Sequence, residues 1–327
     1  MPSLLTIPRG LRDKICAYAI LADINEPPKL TANFDDLLSG RTKLENPQLR
    51  AWGGNHTIKY HSDNIVPSAV PLLLVCHQLY AETISNLRII PNTNSYGLDI
   101  ILLDEVFLLP TWLRVPVLTT SVDKVNVTFR IAGSYGGRGK YKGYSFYVGF
   151  QGADGAGPAI SWHIYSIIER FFKVGPAGKR QDAEEHKHVT IKTLDINVEI
   201  PDNVDPSRFN APQTGHYGRR RDNESAGEPV LDPTYLAQFV ITNIRWMIHM
   251  GDSAEGYGKI FHEHLDEVIV RKGGEEMARW EIARVFRDLT AKDWYRHESE
   301  TIEQWKAQTA EKRRERGLRV LEEKKDN

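Results

Sequence analysis

The segment Leu194-Asp-Ile-Asn-Val-Glu-Ile200 decides the architecture. Leu194, Ile196, Val198 and Ile200 alternate with Asp195, Asn197 and Glu199. A period of two sends successive side chains to opposite faces of a strand, so one face meets a core and the other meets water. The same alternation recurs upstream. Val125, Val127, Phe129 and Ile131 alternate with Lys124, Asn126, Thr128 and Arg130, and Tyr144, Phe146, Val148 and Phe150 repeat the pattern. Between these two runs lies Gly133-Ser-Tyr-Gly-Gly-Arg-Gly-Lys140, which reads as a long hairpin connection. A shorter apolar strand is expected over Gly97 to Leu103.

Helical spacing surrounds the strands. Ile160, Ile164, Ile167, Ile168 and Phe171 form an amphipathic stripe. Leu236, Val240, Ile244 and Met247 form another, with Asp232 placed to cap it and Pro233 at its first position. A third is expected over 275–290, carried by Met277, Trp280, Val285 or Phe286, and Leu289. At the N-terminal end, Pro8 to Leu21 reads as a helix with Leu11, Ile15, Tyr18 and Ala19 at helical spacing. Pro71 opens another, with the stripe Leu72, Cys76, Leu79, Tyr80 and Thr83 or Ile84. Residues 23–69 read as a long irregular insertion and 202–231, with the run Arg219-Arg-Arg221, as a disordered loop. From about Glu298 the chain is charged, with Ile302, Trp305, Leu318 and Leu321 as sparse apolar contacts, which predicts a projecting, solvated helix.

Composition narrows the class. The 327 residues carry 42 Lys plus Arg against 43 Asp plus Glu, a formal charge of −1. Such a chain has no global positive field to hold a phosphate backbone, so a dedicated nucleic-acid binder is not expected. With 41% hydrophobic and 26% charged residues, it reads as an ordinary globular protein. Apolar runs such as Val70-Pro-Leu-Leu-Leu-Val-Cys76 fall short of the roughly 18–20 residues of a membrane span, so no membrane association is expected. Met1 to Pro8 lacks the basic start and apolar stretch of a signal peptide. Cys16 and Cys76, both in apolar surroundings, read as structural thiols in a reduced compartment, cytoplasmic or nuclear. The three Asn-x-Ser/Thr triplets at Asn55, Asn126 and Asn223 then read as chance matches. No repeat of fixed period is visible.

Each chemical motif meets a simpler reading. The glycine-rich stretch 133–157 lacks the phosphate-loop pattern, since Tyr141 follows Gly139-Lys140 and Ser134 stands at the upstream glycine position. His186/His188 and His262/His264 are spaced by two, whereas helical metal ligands need three or four, and no cysteine completes a cluster. They read as exposed or hydrogen-bonded histidines. No Gly-x-Ser-x-Gly elbow occurs, and pairs such as Asp104 with Glu105 and Glu184 with Glu185 read as solvated charge. Trp112, Trp162, Trp246 and Trp280 sit in or beside apolar patterns and read as core. Lys312-Arg-Arg314, flanked by Glu311 and Glu315, is a weak nuclear-import or nucleic-acid signal. No catalytic residue, metal ligand or cofactor is assigned.

Two segments carry a resemblance. Leu5-Thr-Ile-Pro-Arg-Gly-Leu-Arg-Asp-Lys-Ile-Cys-Ala-Tyr18 resembles the opening Leu-Pro-x-Glu-Leu-Arg-x-x-Ile-Tyr pattern of a group of fungal F-box-like proteins. Leu72-Leu-Leu-Val-Cys-His-Gln-Leu-Tyr-Ala-Glu82 resembles their second signature, Leu-Leu-x-Val-Cys-Arg-Gln-Ile-Tyr-x-Glu. Val106 to Ile131 and the Trp162 helix are similar more loosely. Gly10 departs from the pattern's glutamate, and the 23–69 insertion separates the two signatures. The resemblance implies a small helical module whose apolar face binds the Skp adaptor of a cullin-type ubiquitin ligase, while the remaining domain presents a protein substrate. It implies partner-binding roles for Ile7, Pro8, Leu11, Ile15, Val75 and Leu79. A short helix with an exposed Leu/Ile stripe suits docking in a groove. Leu11, Ile15, Cys76 and Leu79 read equally as internal core.

The fold expected is α+β: a mostly antiparallel sheet covered by amphipathic helices, with F-box-like helices in 1–90, an α+β domain in 91–297 and a charged helix in 298–327. The function expected is a non-enzymatic interaction module, an F-box-like substrate receptor. The alternative is a self-contained ligand-binding or accessory domain in which the N-terminal signature is only structural.

Overall fold

In the computed structural model the described residues are 4–30, 34–44, 57–61, 65–134, 149–150, 157–176, 187–202, 204–211, 229–250, 255–290 and 301–322. Residues 144–148 of the expected 144–150 strand, most of the glycine-rich stretch, His186, the Glu184/Glu185 pair and the greater part of 202–231 lie outside them, and Gly149–Phe150 form a turn with Phe150 buried.

The alternating segments build the centre of a six-stranded sheet. Its strands are β3 (Ser95–Leu103), β4 (Phe107–Arg114), β5 (Ser121–Ala132), β6 (Thr190–Val198), β9 (Leu265–Lys272) and β10 (Glu275–Glu281), in the order β10-β9-β6-β5-β3-β4. Short pairs are made by β1 (Arg41–Thr42) with β2 (Tyr60–His61), and by β7 (Phe209–Asn210) with β8 (Val230–Leu231). Only the outer pairs of the large sheet, β3 with β4 and β9 with β10, are antiparallel. The inner pairs β3–β5, β5–β6 and β6–β9 are parallel. The sheet is therefore mixed with a parallel centre, which corrects the expectation of a mostly antiparallel one.

The reason lies in what alternation encodes. It reports which side chains face the core, not which way the neighbouring strand runs. Tyr96, Leu98, Ile100, Val125, Val127, Phe129, Leu194, Ile196 and Val198 are buried together on one face. The other face carries ion pairs: Lys124 and Arg271 to Asp195, Arg279 to Glu267 and Arg130 to Asp99. Parallel sheets are commonly covered on both faces and then read as continuous apolar runs. Here the second face is polar over its middle, so parallel strands show the pattern usual for antiparallel ones. At one end of that face a smaller cluster forms, in which Leu37 of α2 (Phe34–Leu38) joins Ile101, Leu103, Phe107 and Leu109.

Helices make two of the three parallel connections, while β4 lies between β3 and β5. Chain between β5 and β6 forms α5 (Ala159–Val174), whose Ile160, Ile164, Ile167 and Phe171 pack on the apolar face. Between β6 and β9 run α6 (Pro233–Ile248) and α7 (Glu255–His264). Asp232 caps α6 by accepting from the Thr234 amide at 2.7 Å. Trp162 of α5 meets Trp246 of α6 and Tyr257 of α7 with centroids 5.9 and 4.7 Å apart.

Two further expectations are corrected. The 275–290 helix divides into β10 and a short α8 (Ile282–Asp288), because Gly273 and Gly274 at φ 56° and 87° supply the two left-handed positions of a tight hairpin. The C-terminal helix α9 (Ile302–Glu315) is docked rather than projecting: Ile302, Trp305 and Arg313 are buried, with Trp305 packed on Phe286 at 5.4 Å.

Candidate interaction surface

The N-terminal helix α1 (Arg9–Leu21) carries two stripes. Arg12, Cys16 and Ile20, at i, i+4 and i+8, are buried. Leu11, Ile15 and Tyr18 are 53%, 43% and 80% exposed. A charged residue therefore faces inward while leucine, isoleucine and tyrosine face water. The reversal has a specific cause. Arg12 makes a forked pair with Glu82 of α4 (His77–Ile89), Nε to Oε2 at 2.9 Å and Nη2 to Oε1 at 2.6 Å. Arg12 also donates to the carbonyls of Leu5 and Ile7. Gln78 adds a bond to Glu82 at 3.1 Å, and Asn86 donates to Asp13 at 3.2 Å. The bonds from Arg12 and then Gln78 hold the Glu82 carboxyl down at about 2. This network sets which face of α1 is turned outward.

The second signature splits into two helices. After α3 (Val70–Leu73) the chain breaks at Leu74-Val-Cys76, and Cys76 stands extended before α4. The continuous helix expected from Pro71 is thus interrupted, and Leu74 and Val75 are left 79% and 63% exposed. The residues assigned to partner binding divide accordingly. Leu11 and Ile15 lie together on the outer face of α1; Pro8 is exposed at its start and Ile7 is half-buried. Val75 is exposed on a separate element, and Leu79 is buried at 2%. The module is tied to the sheet by its flanks: Ile24 N donates to Leu113 O, Asn25 Nδ2 to Trp112 O and Ser68 N to Val115 O.

Arg12 and Glu82 stand inside the two signatures, where the sequence pattern alone assigns neither a role. The available signal was a charge of each sign inside an otherwise apolar helical pattern.

Other candidate chemistry resolves into packing. His262 bonds the Ile248 carbonyl at 2.8 Å and His264 the Val189 carbonyl at 2.7 Å, and burial pushes both imidazoles down to about 3. Among the described residues no group of three or more His, Cys, Asp or Glu is placed to hold a metal ion. Among the same residues no helix is long and apolar enough to cross a membrane. A cavity of about 30 Å³ lies between α5 and the sheet, lined by Leu98, Val127, Ile164, Phe171 and Leu194 among others. Its lining is wholly apolar and supplies no polar group to orient a ligand.

Comparison of the chain with protein-family models, with curated proteins and with solved structures finds no match.

Proposed function

We propose that the chain is a non-enzymatic, F-box-like interaction module whose α1 face docks the Skp adaptor of a cullin-type ubiquitin ligase, and whose sheet domain presents a protein substrate. The observation that carries this reading is the outward Leu11–Ile15–Tyr18 stripe on a helix whose rotation is fixed by the Arg12–Glu82 pair. A Leu/Ile stripe held toward solvent by a polar network is suited to laying into a partner groove. Exposed Val75 in the second signature is a further contact for the same partner.

Titrating purified full-length chain with purified Skp adaptor tests the reading. Wild type forms a complex that co-elutes in gel filtration. Leu11→Asp with Ile15→Asp keeps the helical circular dichroism spectrum and loses the complex. Equal binding by both proteins, or none by wild type, sinks the proposal.

The second reading is a self-contained accessory domain, favoured by the burial of Leu79 and Cys16 within the same signatures. Under that reading wild type shows no adaptor complex.

A further inference from the structure

The end of α9 is held down by three cations. Lys312 and Arg313 lie in its last turn and Arg316 at its C-cap. Lys312 pairs with Glu263 at 2.8 Å. Arg313 Nη2 donates to Asp266 Oδ1 at 2.7 Å, and its other nitrogens reach the carbonyls of His262, Leu265 and Arg319. Arg316 Nη1 donates to the Glu263 carbonyl at 3.0 Å and to His264 Nε2 at 3.1 Å. All but one of these acceptors lie within 262–266, where α7 gives way to β9.

His264 is the acceptor whose capacity depends on pH. Its Nδ1 lies 2.7 Å from the Val189 carbonyl oxygen, which can only accept, so Nδ1 carries the proton. Nε2 keeps the lone pair that receives Arg316. A second proton can go only to Nε2, where it turns the acceptor into a donor and sets one cation against another. The surroundings supply no compensation. From α9 the buried ring faces Arg316 and Lys312. From the stretch before β6 it faces His188, stacked with centroids 6.1 Å apart, and from α5 the ring of Phe172 at 4.9 Å. The two carboxylates of this junction are already engaged, Glu263 with Lys312 and Arg316, and Asp266 with Arg313 and the Arg319 amide.

Docking of α9 also covers apolar surface. Its Ile302 and Trp305 pack with Met250, Phe286 and Leu289, and Lys306 Nζ donates to the Arg287 and Leu289 carbonyls at the end of α8. This cluster is separate from the core between α5, α6 and the sheet.

We propose that α9 is an acid-released strap: a proton on His264 Nε2 expels Arg316, and α9 lifts from the α7–β9 junction while the sheet stays folded. Release uncovers Met250, Phe286 and Leu289. The device does not involve the α1 face and is independent of the adaptor reading. Burial, with the neighbouring cations, holds His264 down to about 3 while α9 is docked, against an ordinary 6.5, so release takes up a proton across that interval. Docking is therefore strongest above 6.5 and weakens by up to about tenfold for each unit that pH falls toward 3.

Hydrogen–deuterium exchange of the full chain between about pH 7.5 and 5, corrected for intrinsic rate, reads the release peptide by peptide. Peptides of α9 lose protection by a factor approaching about tenfold per pH unit below 6.5, while those of β5 and β6 keep theirs. His264→Gln cannot take up that proton and lowers the α9 slope by the same factor. Parallel loss in α9 and in β5 and β6 overturns the proposal, as does α9 protection that ignores pH or an unchanged slope in His264→Gln. If circular dichroism shows His264→Gln misfolded, Arg316→Met takes its place. That variant is expected to open α9 already at neutral pH, and wild-type α9 protection there overturns the proposal.

Discussion

Arg313 shows how a single residue can hold a segment that composition assigns to solvent. It stands in the run Lys312-Arg-Arg314, yet it is fully buried and bonds Asp266 Oδ1 at 2.7 Å. Removing one member of a buried ion pair strands the other, at about 3–5 kcal/mol. Arg313→Ala is therefore expected to lower the free energy of unfolding by that amount in urea titration, whereas Arg314→Ala, on the exposed side of α9, changes it by under about 0.5 kcal/mol. Titration adds a second expectation. Burial lowers His163, His262 and His264 from 6.5 to about 3, so at intermediate pH the unfolded chain binds protons that the folded chain does not. Their contribution is intact above about 6.5 and is lost progressively as pH falls toward 3. Glu82, lowered from 4.5 to about 2, adds a loss confined to that more acid window. The melting temperature should therefore begin to fall just below pH 6.5, well above ordinary carboxylate titration. His163→Gln should flatten the first part of that decline.

At the scale of elements, the sequence was most legible where one period held over a whole segment. The stripe Ile160–Phe171 became α5, the cap at Asp232 opened α6, and the alternation at 125–131 and 194–198 became β5 and β6. It was least legible where local and long-range signals diverged. Met277 and Trp280 sit at helical spacing, but the glycine pair at 273–274 turns them into the return strand of a hairpin. Strand direction was not legible at all, because the path of the chain between strands rather than side-chain pattern sets it. On α1 the helical periodicity is legible in the sequence, while the choice of inward face depends on Glu82, seventy residues away. The packing of α7 on α6 yields a prediction of the same kind. A Cβ at Gly258 would lie 2.2 Å from the Met247 carbonyl oxygen and 2.8 Å from Met250 Sδ. Gly258→Ala, which raises intrinsic helix propensity, should nonetheless destabilise the protein by about 1–3 kcal/mol in chemical denaturation.

For the whole molecule, apolar surface is distributed unevenly. One face of the sheet is closed by α5 with its neighbouring helices, and α9 seals the His262–Phe286 region. The β4 edge is covered by backbone pairing from Ile24 and Lys59, which removes an open strand template. Against this economy, Leu11, Ile15 and Tyr18 on α1 and Leu74 and Val75 after α3 stay in water. The proposed function assigns this exposure to an adaptor. Its most direct test is tagged capture of the full-length protein from its source cells, wild type beside Leu11→Asp/Ile15→Asp, with bound proteins identified by mass spectrometry. The expected result is that the Skp adaptor and a cullin co-purify with wild type and are lost from a variant of equal solubility and circular dichroism. Wild type without adaptor and cullin, or a folded variant that retains both, would contradict it.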